Sequence, residues 1–193
     1  MSRVFVGVDL SQAGLALLAG SPDAVASLSW GDIDAVTIGE SLPKDAGPRR
    51  RAERLSKLRR AAIAWLKRRS PTDVWFEQYP MGSGSLMGLD IVAEMGGALR
   101  DAIWTELGVA PQASPISSAR KLLLGSLTQA RLAAATRGMA VAEVKRLGKQ
   151  KAAVWGELQR IGCGFATPDE GDAFVALNFG LAQSGCRFVG VES

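Results

Sequence analysis

The stretch VFVGVDLSQAGLALL, residues 4–18, decides the fold because it places two apolar strands on either side of a tight turn. The first strand has two faces, which carry Val4, Val6 and Val8 on one side and Phe5, Gly7 and Asp9 on the other. A carboxylate at the end of such an apolar strand is ordinarily a turn or cap residue. A chemical role for Asp9 therefore needs support from elsewhere in the chain.

Composition excludes several classes of protein and of active site. The 193 residues predict a single domain, 1–193, with a full buried core. The sequence has no run of about 18 apolar residues and no signal peptide, which predicts a cytoplasmic protein without membrane contact. Two cysteines are too few for a disulfide framework, and the absence of histidine excludes the usual zinc sites and Ser-His or Cys-His pairs. Any catalysis must therefore use carboxylates, lysines or tyrosine.

Basic residues are concentrated in two zones. Residues 49–69 hold ten basic side chains and one acid, a charge of +9, whereas the rest of the chain sums to −5. The second zone runs from Arg120 to Lys151. Two such zones indicate a polyanionic partner, although a solvated helix face explains the charge alone equally well.

The order of predicted elements indicates a mixed sheet. After the hairpin, the stretches 24–33 and 34–42 can supply further short strand segments, which gives a three-stranded antiparallel start. A helix over 50–69 then leads to a fourth strand at 71–79, and further helices and a short fifth strand follow. The predicted class is α/β, with a five-stranded sheet of three antiparallel and then two parallel strands and helices on both faces. The Ala-rich residues 126–148 are expected to form a helical excursion from the core.

Four acids occupy positions that strand and helix formation do not require. Asp9 ends the first strand and Glu77 the fourth, which places both at one edge if these strands are parallel neighbours. Asp169 and Asp172 begin the last helix and share a face. Crowded carboxylates raise one another's pKa, and a pair of Mg²⁺ or Mn²⁺ ions would neutralise them and activate water for phosphodiester hydrolysis. The four acids therefore predict a metal site.

A helix cap is the alternative for part of this set. The letters TPDE, residues 167–170, match a capping box with Thr167 as the N-cap and Glu170 at the third helical position. Capping explains Glu170 well and Asp169 adequately. It leaves Asp172 and the two strand-end acids unexplained, so Glu170 is interpreted as a cap and the others as candidate ligands.

Three motifs together resemble the RuvC family of Holliday junction resolvases, in the RNase H and retroviral-integrase superfamily. They are VGVDLSQAG at 6–14, FEQ at 76–78 and TPDEGDAFVAL at 167–177, and the resemblance extends over about residues 4–182. The resemblance implies an RNase H-like fold and a homodimeric, structure-selective endodeoxyribonuclease that resolves four-way DNA junctions by symmetric paired nicking. It also implies two Mg²⁺ ions per active site, with Mn²⁺ able to substitute, and no small-molecule cofactor.

The resemblance also assigns roles to individual residues. Catalysis and metal binding fall on Asp9, Glu77, Asp169 and Asp172, and the phosphate-holding bases on Lys151 and on either Arg120 or Lys121. Tyr79 is the candidate aromatic that probes the junction, with a core position equally plausible. Further phosphate contacts are expected in the basic zones, at Lys149, Arg50, Arg54 and Lys57. The helix of residues 86–106 is the candidate dimer contact through Gly96, Gly97 and Ala98, or else packs in the core.

Two other functions remain open from the sequence. One is a non-catalytic junction-binding module, although the complete set of acids argues against it. The other is a different superfamily nuclease, for branched-DNA debranching or RNA–DNA hybrid cleavage. The segment 126–148 is longer than the corresponding segment in most members of the family, which favours a phage, plasmid or organelle-type relative.

Overall fold

The structure is a computed structural model that describes residues 3–40, 42–43, 46–78 and 86–190. Its strands are β1 (Phe5–Leu10), β2 (Gly14–Gly20), β3 (Asp34–Gly39), β4 (Asp73–Glu77) and β5 (Gln112–Ser114). They form one sheet in the order β3-β2-β1-β4-β5. The β1–β2 and β2–β3 pairs are antiparallel, whereas β4 pairs in parallel with both β1 and β5. The predicted mixed five-stranded sheet is confirmed.

Helices cover both faces of the sheet, because alternate residues of its strands are apolar on both sides. The helices are α1 (Pro22–Ala26), α2 (Pro48–Arg69), α3 (Leu86–Leu107), α4 (Ile116–Leu124), α5 (Gln129–Ala135), α6 (Val141–Leu147), α7 (Lys149–Arg160) and α8 (Pro168–Gln183). Helices α2 and α3 pack on the face that carries Val6 and Val8. Helices α4, α5, α7 and α8 pack on the face that carries Phe5. None of the helices in the described residues has the length and apolarity that a membrane span requires.

The strand predicted at residues 24–33 is wrong. This segment forms the short helix α1 and a 3₁₀ turn over Trp30–Asp32. The Ser21 hydroxyl accepts a hydrogen bond from the amide of Ala24, and Pro22 stands at the first helical position, which together start a helix. The third strand is supplied by Asp34–Gly39 alone.

Helix α8 crosses β1 at unusually short range. A Cβ atom on Gly7 would lie 1.8 Å from the carbonyl oxygen of Ala173 and 2.7 Å from the amide nitrogen of Leu177. Only glycine leaves room for this approach. Because Gly7 and Asp9 share a face of β1, the same contact sets α8 directly beside the carboxylate of Asp9.

The start of α8 is fixed to the sheet by a side-chain network. The Thr167 hydroxyl accepts from the amide of Glu170, as the capping interpretation predicted. Glu170 in turn accepts from the amide of Ala166 at 2.7 Å and from the hydroxyl of Thr37 on β3 at 2.9 Å. Its carboxylate thus caps α8 and ties the helix to β3.

The structure does not support a DNA-contacting role for Arg54. Its side chain is buried, and its guanidinium donates to the carbonyl of Glu40 at 2.5 Å and to that of Gln12 at 2.7 Å. Burial lowers the pKa of this guanidinium, with Glu40 opposing the effect. Arg54 thus joins the segment after β3 to the β1–β2 turn and offers little surface to a phosphate.

Replacing Arg54 with methionine should destabilise the fold. The substitution keeps an aliphatic stem but removes the donors to two carbonyl groups, so we expect the free energy of unfolding to fall by about 2 kcal/mol in urea titrations. The control is Arg50→Met, because Arg50 is exposed on the same helix. Arg50→Met should leave the free energy of unfolding unchanged. A larger loss of stability in Arg50→Met than in Arg54→Met would contradict the structural role of Arg54.

Candidate active site

Three carboxylates meet at the edge of the sheet where β1 and β4 end. The parallel register, with Val8 opposite Phe76, places Asp9 and Glu77 at neighbouring strand ends. Helix α8 adds Asp172 from its second turn. One oxygen from each of these acids lies within 4.8 Å of the others, and all three side chains are buried.

Arg120 is the first cation in this cluster. Its Nη2 donates to Glu77 Oε1 at 3.1 Å and to Asp172 Oδ1 at 3.0 Å. Burial lowers the pKa of Arg120, but Asp172 and Glu77 outweigh that effect and raise it. The alternative candidate, Lys121, is exposed on the outer side of α4. Of the two residues that the sequence left open, Arg120 is the one that contacts the acids.

Lys151 is the second cation and connects the remaining acid to the cluster. Its Nζ lies 2.6 Å from Asp169 Oδ1, 2.7 Å from Asp172 Oδ2 and 3.7 Å from Asp9 Oδ2. Burial lowers the pKa of Lys151, but the nearby carboxylates more than offset this and raise it. Asp169 is more exposed than the other acids, and Lys151 bridges it to Asp172 and Asp9.

Burial and mutual repulsion raise the pKa of the strand-end acids. Burial is the largest cause of the raised pKa of Asp9, followed by Glu77 and Asp172, while Lys151 opposes it. The pKa of Glu77 rises from 4.5 to about 7, mainly through burial and then through Asp172, against the lowering effect of Arg120. Such shifts arise when like charges are held together away from water.

The residues present fit a hard divalent cation. Mg²⁺ and Mn²⁺ prefer carboxylate oxygens, and the three clustered acids offer such oxygens within one coordination sphere. When all are ionised, Asp9, Glu77, Asp169 and Asp172 outnumber the two basic side chains by two charges. A divalent cation held by Asp9, Glu77 and Asp172 would balance this excess.

A similar fold occurs in solved structures of Holliday junction resolvases. The RuvC structure from Thermus thermophilus superposes with a TM-score of 0.55 at 20% identity, covering 95% of this chain and 98% of that one. T. thermophilus RuvC in complex with a Holliday junction substrate gives 0.54 at 16%, with 95% and 96% covered. The yeast mitochondrial Holliday junction resolvase Ydc2 gives 0.51 at 11%, with 95% and 80% covered.

The chain has a RuvC-like resolvase fold. No family model matches the sequence, and no curated protein matches it. At these identities the similarity concerns the fold, and the chemistry has to be argued from the side chains.

The other predicted site residues of this chain lie outside the cluster. Arg50 and Lys57 are exposed on α2, with Lys57 paired to Glu40 at 3.2 Å. Lys149 is exposed at the start of α7 and donates to the side chain of Gln129 at 3.2 Å. Tyr79 falls outside the described residues.

Sequence reasoning missed two features that position the acidic cluster. The first is Gly7, whose missing side chain admits α8; its place on the Asp9 face was the available signal. The second is the tie from Glu170 to Thr37, which links residues 133 positions apart and has no local sequence signal.

The raised pKa values predict a pH-dependent response to metal. Asp9 and Glu77, which face Asp172, Arg120 and Lys151, hold protons in the folded state that the unfolded chain releases at lower pH. Stability without metal should therefore fall as the pH rises from 4.5 to about 7. Since metal binds the ionised acids, the increase in melting temperature on adding Mg²⁺ should be larger at about pH 8 than at about pH 6. Glu77→Gln should weaken this dependence, and a pH-independent Mg²⁺ effect would contradict the assignment.

Proposed function

We propose that this protein is a Mg²⁺-dependent endonuclease that resolves four-way DNA junctions by symmetric paired nicking. The observation that carries the proposal is the buried trio Asp9, Glu77 and Asp172 on a RuvC-like fold. One structural neighbour is described in complex with a Holliday junction substrate, which supports branched DNA as the partner.

The proposed chemistry is hydrolysis of a phosphodiester bond, leaving 5′-phosphate and 3′-hydroxyl ends. Divalent ions bound here would supply Lewis-acid activation of water and neutralise charge on the phosphate. Asp9, Glu77 and Asp172 would hold the first ion. Asp169 is the proposed additional ligand of a second ion, which would compete with Lys151 for that carboxylate. The scissile phosphate would add the negative charge that a second ion requires.

The two basic side chains have different proposed roles. Arg120, with its guanidinium held between Glu77 and Asp172, keeps these two ligands oriented. The Lys151 side chain is more exposed, 21% against 10% for Arg120, so it is the cation better placed to meet a phosphate. Arg50 and Lys57 on α2, Lys149 on α7, and Tyr79 complete the proposed DNA contacts.

A homodimer is part of the proposal, because paired nicks in a two-fold junction require two active sites. On α3, Met95 and Leu99 are buried in the core formed with α2. Gly97 and Trp104 lie on the outer side of the helix, where a Cβ on Gly97 would meet nothing and Trp104 is 59% exposed. This outer side is the proposed contact, and analytical ultracentrifugation of wild type and Trp104→Ala tests it.

A substrate comparison separates the proposed function from its alternatives. Purified protein with Mg²⁺ is incubated with end-labelled four-way junction, linear duplex of the same sequence and RNA–DNA hybrid. We expect paired, symmetric nicks in the junction and no cleavage of the duplex. Preferential hybrid cleavage would indicate another nuclease of the superfamily, and binding to the junction without cleavage would indicate a non-catalytic module.

A further inference from the structure

We propose that residues 126–148, here called the excursion, together with Lys149 form a preorganised surface that binds the DNA backbone next to the cleavage site. The inference rests on the proposed function and specifies how the substrate is held. The excursion contains four basic residues and one acid, Glu143. Its helices α5 and α6 lie between α4 and α7 in the chain, and Lys151 of α7 contacts the acids.

The excursion is attached firmly to α7. Arg131 on α5 donates to the carbonyl of Leu124 at 2.7 Å and to Glu157 on α7 at 3.0 Å. A Cβ on Gly156 would lie 2.1 Å from the carbonyl oxygen of Ala135, so α5 and α7 are in backbone contact. This anchoring orders the segment before any ligand arrives.

Three exposed cations lie where α6 ends and α7 begins, and we call them the basic cluster: Lys145, Arg146 and Lys149. Gly148 alone separates the two helices and adopts a positive φ of 79°. Within the described residues, Lys145 and Arg146 make no hydrogen bond or ion pair, and Lys149 contacts only the neutral Gln129.

Unpaired cations alone do not distinguish the excursion, because α2 has them as well. Four cations of α2 are matched by acids, in the pairs Arg49–Glu53, Lys57–Glu40, Lys67–Glu106 and Arg69–Asp34, whereas the exposed Arg50, Arg60 and Arg68 make no ion pair within the described residues. The excursion differs from α2 by its attachment to α7, the helix that carries Lys151. Helix α6 buries no residue and carries its unpaired cations outward. A rigid element with unmatched positive charge is suited to a polyanion.

The position of the basic cluster selects DNA as that polyanion. Lys149 and Lys151 lie in the first turn of α7, and Lys151 contacts the carboxylates. Lys149 is therefore within about one helix diameter, roughly 10 Å, of the Lys151 backbone. Lys145 and Arg146 adjoin Lys149 across Gly148. A strand advances about 3.4 Å per nucleotide, so one with a phosphate at the acids reaches Lys149 within about three nucleotides.

The test measures how strongly DNA binding depends on salt. Binding of labelled four-way junction is followed by fluorescence anisotropy over a range of KCl concentrations, in an Asp9→Asn background that should not cleave. The slope of log affinity against log salt changes by about 0.9 for each phosphate that the protein no longer neutralises, so K145A/R146A/K149A should reduce it by about 2 to 3. The matched control is R60A/K67A/R68A on α2, which removes equal charge and should change the slope by less than about one.

The outcomes separate this inference from the proposed function. An unchanged slope in the excursion variant overturns the inference, even if the wild type cleaves junctions. An equal reduction of the slope in both triple variants, or the absence of DNA binding, also overturns it. If the wild type fails to cleave but the slope falls selectively, the surface stands and the proposed function fails. A second test leaves the excursion unmutated. Lysine amines of the Asp9→Asn protein are acetylated with and without bound junction, and the labelled positions are identified by mass spectrometry. Bound junction should protect Lys145 and Lys149, and unchanged labelling of both would overturn the inference.

Discussion

Replacing Gly7 with alanine is expected to destabilise the protein by about 3 kcal/mol or more, because the added methyl group overlaps the backbone of α8. The group it meets is the carbonyl oxygen of Ala173, which cannot move aside as a flexible side chain could. Relief requires α8 to shift away from β1 as a unit. The shift would also draw Asp172 away from Asp9, so stability and metal binding should decline together.

Urea denaturation of Gly7→Ala measures this effect, with Gly31→Ala as its matched control. A Cβ on Gly31 would meet nothing within 4 Å, so the control should stay within about 0.5 kcal/mol of wild type. Wild-type stability of Gly7→Ala would show that α8 does not approach β1 as described.

Replacing Asp172 with asparagine should lower the cleavage rate about a thousandfold or more. Asp172 contributes to the trio and contacts both Arg120 and Lys151, so its loss removes a proposed metal ligand and disturbs the two cations. Loss of about 4 kcal/mol of transition-state stabilisation corresponds to this factor.

Isothermal titration calorimetry with Mg²⁺ gives a second measurement on Asp172→Asn that does not depend on activity. Binding should weaken at least about a hundredfold, since the ligand set loses a charged oxygen donor. Asp23→Asn, at an exposed position on α1, should bind Mg²⁺ as the wild type does. Equal Mg²⁺ affinity in both variants would remove Asp172 from the ligand set.

The sequence predicted the strand-end acids because strand order and alternation determine where such side chains lie. Parallel neighbours end at one edge, so Asp9 and Glu77 could be paired without coordinates. The sequence also placed the two α8 acids near this edge. It did not predict that Asp172 would lie in the trio while Asp169 lies beside Lys151, because that difference depends on the exact position of α8. That position is set by tertiary contacts at Gly7.

Two predictions differ from the structure for one reason, which is that contacts between distant segments or a local helix cap decided the outcome. Arg54 belongs to a basic helix by composition, and its burial depends on carbonyl groups of two distant segments. Residues 24–33 are apolar enough for a strand, but the Ser21 cap and Pro22 favour a helix. In both places a specific hydrogen bond decided the structure, and hydrophobic periodicity carries no information about it.

The most direct test of the proposed active site is cleavage of a labelled four-way junction by wild type and Asp9→Asn, each with Mg²⁺ and with EDTA. We predict paired nicks only for wild type with Mg²⁺, while Asp9→Asn still binds the junction. Cleavage that persists in Asp9→Asn or in EDTA would contradict a metal-dependent active site built on Asp9, Glu77 and Asp172.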